Sequence, residues 1–135
     1  MADIKLQFSV VCEWSDGKNI GNIYNGFTPG VVEQFYIVNK WIWDEKDKGD
    51  FNENDTEQNF HQECKIIQSG KKEKIISLSK SSNFRVKNSH THNNHFPELE
   101  FKKDLDYRVD VTLFTADGEV VKSGSINYPL IVKSN

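Results

Sequence analysis

The sequence is poor in the residues that staple, kink or loosen a chain. Its 135 residues hold two cysteines, three prolines and eight glycines. Two cysteines, Cys12 and Cys64, do not make a disulfide framework, so the core must hold the fold together. Three prolines leave long stretches free to form unbroken hydrogen-bonded ladders. No run of about 18 apolar residues occurs, so no helical membrane span is expected. The first residues, MADIKLQFSVVCEW, place one lysine before an alternating segment, unlike a secretory signal. The expectation is a cytoplasmic protein, or one released without a classical signal peptide. A large charge of one sign is also missing. The net charge is −3, which gives no general attraction to nucleic acid or to anionic lipid. Absent too are the GxSxG turn, the Walker loop, GxGxxG, HExxH and CxxC. A non-enzymatic protein is therefore expected.

What is present is alternation. From Ile4 to Trp14 the even positions are apolar (Ile4, Leu6, Phe8, Val10, Cys12, Trp14) and most odd ones are polar. Strand side chains switch faces at each step, so this segment reads as a strand with one buried face. Leu105 to Thr115 repeats the pattern, and Asp117-Gly118 then marks a tight hairpin. Val31 to Trp43 is rich in β-branched and aromatic residues and reads as another strand. Residues 59–68, 73–79, 83–87 and 119–132 add more, with Pro129 placing the last at an edge or a bulge. The expected architecture is all-β: one domain over residues 1–135, an antiparallel β-sandwich of immunoglobulin-like or jelly-roll type with about eight strands.

Charge is segregated along the chain. Residues 44–64 carry eight acids and two bases, and residues 65–95 carry seven bases and one acid. Two poles of opposite sign suit either mutual attraction within the chain or head-to-tail association of copies.

Three clusters could carry function. Trp41 and Trp43 are two apart, so on a strand they share a face; if exposed, with Tyr36 beside them, they would stack on a sugar ring. Tyr24 and Phe27 could extend that platform. The next segment is rich in oxygen donors. Asp50, Asn52 and Asn54 alternate as calcium ligands do, although Asp55 stands where a helix–loop–helix site needs glycine. Finally, SHTHNNHF holds three of the four histidines. His90 and His92 would face one way on a strand. His95 would join them only if Asn93-Asn94 made a turn, with Glu98, Glu100 or His61 as a further ligand. Imidazole with carboxylate suits zinc, nickel, copper or iron. The segment is expected to be a turn-rich polar loop and no cofactor is expected, with calcium or a transition metal as the alternative.

The leading functional expectation is a carbohydrate-binding, lectin-like module that oligomerises for avidity. The partner would be a carbohydrate or a protein. Two alternatives stand beside it: a self-assembling accessory subunit using its charged poles, and a metal-dependent β-barrel enzyme using His90, His92 and a carboxylate.

Overall fold

The computed structural model describes residues 4–43 and 59–133. Every regular element among them is a strand. In chain order these are β1 (Ile4–Ser15), β2 (Ile20–Ile23), β3 (Gly30–Val32), β4 (Phe35–Trp43), β5 (Asn59–Gln68), β6 (Lys74–Lys80), β7 (Phe84–Arg85), β8 (Ser89–Phe96), β9 (Leu99–Phe101), β10 (Tyr107–Thr115) and β11 (Val120–Leu130). The count is eleven, above the expected eight or so. The surplus comes from short pieces and from the His-rich segment, which is a strand.

Two antiparallel sheets face each other across a shared core. The first runs β2-β1-β4-β8 and the second β11-β10-β5-β6, with β7 also on β5. The pair β3-β9 closes one end. The expected strand Val31–Trp43 divides because Val31 pairs with Glu100 on β9, whereas Phe35 onward pairs with β1 and β8.

The core has three tiers. At one end Phe27 stacks on Phe101 with centroids 4.8 Å apart, and Phe35 stacks on Phe96 at 5.1 Å. At the other end lie Trp41, Trp43, Phe60 and Val86. Between them sit three fully buried amides. Asn39 Nδ2 donates to Gln62 Oε1 at 3.2 Å, Gln62 Nε2 to Asn94 Oδ1 at 3.0 Å, and Asn94 Nδ2 to the Ile37 carbonyl at 2.9 Å. Hydrogen bonding in series makes such burial tolerable, because an unpaired buried amide costs about 1–3 kcal/mol.

One irregularity changes the reading of β1. Its register against β4 shifts between Leu6 and Phe8. Before the shift, Ile4 and Leu6 lie opposite Trp43 and Trp41 and face the core. After it, Ser9 and Val11 lie opposite Asn39 and Ile37 and take over the inner face. Phe8, Val10, Cys12 and Trp14 therefore turn outward, although they continue the same even-numbered series. A bulge adds one residue to one strand only, so it reverses the faces of everything beyond it.

Candidate functional site

The paired tryptophans are interior. Trp41 is 0% exposed and Trp43 is 3% exposed. Each indole N–H is spent on a backbone carbonyl: Trp41 Nε1 donates to Gly124 O at 2.9 Å and Trp43 Nε1 to Val86 O at 2.8 Å. Gly124 also packs tightly against β10: a Cβ there would lie 2.6 Å from Leu113 Cδ2, so Leu113 would have to shift, while Trp41 Cδ1 at 3.4 Å would be in ordinary contact. The expected sugar platform on Trp41 and Trp43 is thus corrected: both indoles form the core, and neither offers a face to a ligand. Tyr36, five positions before Trp41, has the opposite parity and lies on the outer face of the first sheet. Tyr24 and Phe27 pack together at 4.5 Å beneath the end of β11, with Phe27 buried. Asp50, Asn52 and Asn54 fall outside the described residues.

The histidines do not converge. Because SHTHNNHF is strand β8, hydrogen-bonded along its length to β4, no turn forms at Asn93-Asn94. Parity then separates the rings. His90 and His92 face inward with centroids 6.2 Å apart, and His90 lies flat on Phe84 at 3.8 Å. His95 faces outward beside Tyr36 and sits 3.0 Å from Gln34 Oε1 through Nε2. Glu98 is exposed beyond the strand's end, Glu100 is exposed on β9, and His61 stacks on Phe114 in the other sheet. Among the described residues no three His, Cys, Asp or Glu side chains group around a metal position. The four-residue set His90, His92, His95 and Glu98 is corrected accordingly. The loop expectation failed because Ser, Asn and His have weak strand preference, while the inner-face stacking on Phe84 and Trp41 supplies what propensity lacks. Burial holds the His90 imidazole down to about 4, with the neighbouring His92 adding to the effect. Burial lowers His92 as well.

Both cysteines are free and buried. Cys12 lies on the outer side of the first sheet and Cys64 on the inner side of the second, so their side chains cannot meet. Burial pushes the Cys64 thiol up to about 12.

The most distinctive surface is the outer face of the first sheet. Its β1 contribution is Phe8, Val10, Cys12 and Trp14; β4 adds Tyr36, Val38, Lys40 and Ile42, and β8 adds the polar Thr91, Asn93 and His95. Cys12 and Val38 are buried there, outside the main core cluster. The β1–β2 turn provides part of the cover. Asp16 Oδ1 accepts from the Lys18 and Asn19 amides at 2.8 and 2.7 Å, which tightens the turn. Asn93 Nδ2 on β8 then donates to Ser15 O at 2.9 Å and ties the turn to the sheet. The cover stops short of the hairpin's end. Trp14 is 48% exposed and Ile23 is 63% exposed. Cys12 pairs with Ile23 and Trp14 with Gly21, so Trp14 and Ile23 share a face as diagonal neighbours. The Trp14 ring comes within 3.4 Å of the position a Gly21 Cβ would take, which leaves one side of the indole on backbone and the other on solvent. Sequence reading missed Trp14 because its alternation with Ile4 placed it inside. No signal for the bulge is visible in the residues themselves.

A shallow groove of about 240 Å³ runs between β1 and β11, lined by Ser9, Val10, Tyr24, Phe27 and Tyr128 among others. Ser9 Oγ and Tyr128 Oη, 2.7 Å apart, bridge it.

No family model matches the sequence, and no curated protein matches it. Among solved structures the chain is similar to Spo0M, a sporulation control protein from Bacillus subtilis. The identity is 12% and the TM-score 0.44, over 100% of this chain and 51% of that one. This chain spans about half of that protein's length, and a likeness at this level carries no functional argument.

Proposed function

We propose that this protein is a non-catalytic binding module that takes a protein partner on the outer face of its first sheet, around Trp14 and Ile23. The observation that supports this reading is the apolar character of that face, with a half-exposed indole at its open end. Exposed aromatic anchors beside aliphatic side chains are the usual centres of protein–protein contact. A sugar site would need donors and acceptors around the indole. Along β1 and β4 this face carries Phe8, Val10, Cys12, Tyr36 and Val38 with the single charge of Lys40 opposite Phe8, and this apolar majority favours a protein over a carbohydrate. Oligomer formation through this surface belongs to the same reading, with a second copy as the partner.

A photo-crosslinking residue at position 23 tests it, with position 112 on the other sheet's outer face as the control. Discrete protein adducts from position 23, lost on Trp14→Ala and absent from position 112, are expected. An adduct of twice the chain's mass would make the partner another copy. The same adducts from both positions would overturn the proposal. So would glycan-array binding that Trp14→Ala abolishes, which would return the module to carbohydrate.

A further inference from the structure

We infer that the free edge of β6 is an addition site for an acidic, extended peptide strand from a partner protein. Among the described residues β6 ends the second sheet: β5 lies on one side, and no described strand pairs with the other. An edge of this kind presents a row of backbone donors and acceptors that another extended chain can complete. The side chains around it set the partner's chemistry. Lys71, Lys72, Lys74, Lys80, Arg85 and Lys87 surround the strand, and all are exposed. The lone acid in this stretch, Glu73, is held by both terminal nitrogens of Arg108. Lys80 faces Glu63 at 3.6 Å. Lys71, Lys72, Lys74, Arg85 and Lys87 have no acidic partner among the described residues. Ile75 and Leu78 stand exposed between the strand's terminal lysines. An incoming strand that alternates acids with apolar or β-branched residues matches both features.

Charge also argues against a second copy of β6 as the occupant. Antiparallel pairing of β6 with itself would bring its two terminal lysines, Lys74 and Lys80, opposite their counterparts, and like charges across a ladder destabilise it. The lysines therefore disfavour in-register self-pairing while leaving the edge open to an acidic strand. This site is separate from the Trp14 face, so each reading can fail without the other.

The test is fluorescence anisotropy of the full chain with a labelled peptide of about ten residues alternating Glu with Val or Thr. Three comparisons accompany it: the same peptide N-methylated at alternate amides, a Lys-for-Glu version, and the Lys72→Glu/Lys74→Glu chain. Binding of the acidic peptide is expected, at least about tenfold weaker for each comparison, and weaker again as salt rises. Trp14→Ala should leave it unchanged. A circular dichroism spectrum matching the parent's shows that the double variant is folded. Equal affinity for the N-methylated peptide would reduce the site to a charged surface and overturn the inference. So would recruitment to phosphatidylserine vesicles without peptide binding, or salt-sensitive self-association that the peptide does not compete.

Discussion

The two sheets share one core but turn opposite kinds of surface outward. The second sheet's outer face is ionic. Lys65 lies 3.3 Å from Glu63, and Arg108 Nε lies 3.0 Å from Asp110 Oδ1 while its terminal nitrogens hold Glu73. Opposite these, β10 places Thr112 beside Glu63. The first sheet at the same structural level shows Phe8, Val10, Cys12, Tyr36 and Val38. An antiparallel sheet with one face on the core is expected to leave the other face polar. The second sheet follows that rule over most of its outer face, with Ile67, Ile75, Leu78 and Phe114 as exceptions, and the first departs from it along β1 and β4. The cause is local: one bulge in β1 carries an apolar series from the inside to the outside. The β1–β2 turn covers part of this surface, and in the proposed function a partner takes the rest.

The sharpest way to break this contrast is to place the same amide on both outer faces. Val38 is 1% exposed, so Val38→Asn would bury an amide without a partner and lose methyl contacts; a loss of about 3 kcal/mol is expected. Thr112→Asn should stay within about 0.5 kcal/mol, as solvated surface changes do. Urea unfolding followed by far-ultraviolet dichroism measures both. Equal losses would mean that the outer faces are equivalent and that Val38 is not covered.

Much of the fold was legible because period-two alternation is a direct imprint of a pleated sheet. Leu105 to Thr115 shows this best: Tyr107, Val109, Val111 and Leu113 are all buried, as their spacing requires. The candidate site was not legible, for two physical reasons. Alternation says which residues share a face but not where a bulge reverses it, so Trp14 read as interior. The buried indole N–H of Trp41 is satisfied by the carbonyl of Gly124, 83 residues away. No local pattern encodes that pairing. The His-rich segment failed in the other direction: its composition favours a loop, and only its place beside β4 makes it a strand.

Within β8 the inner and outer histidines offer a second, smaller contrast. His90 is held neutral on Phe84 with its pKa down at about 4, against 6.5 when free. A base whose folded pKa lies below its unfolded value binds fewer protons folded than unfolded. Stability is therefore complete above about pH 6.5, falls as pH drops toward about 4, and levels off below that. The full shift would correspond to about 3 kcal/mol, but the ring is only half-buried, so about 1 kcal/mol is expected. Exchanging His90 for Phe, which keeps the ring on Phe84, should reduce the dependence in this window and leave the part that the buried His92 contributes. His95→Gln, on the outer face, should leave it in place. A parent curve already flat between pH 4 and 6.5 would show that the inner ring charges without cost.

The smallest effect belongs to the ionic face itself. Arg108 makes the best ion pair among the described residues, two nitrogens to Glu73 and Nε to Asp110. These contacts hold the guanidinium well above its ordinary range and Glu73 below the usual carboxylate range. Glu73 is nonetheless mostly in water, its side chain 61% exposed, and solvent screening leaves such pairs with little net weight. Arg108→Gln should therefore leave the urea midpoint unmoved within error, and about 0.5 M sodium chloride should do the same to the parent. If either treatment cost as much as Val38→Asn, the ion pairs would be holding the second sheet in place, as the apolar cover holds the first. The outer faces would then differ in chemistry alone. A null result, paired with a large loss at Val38, assigns structural weight to one outer face and leaves the other, with the β6 edge beside it, free to be tuned by charge for a partner.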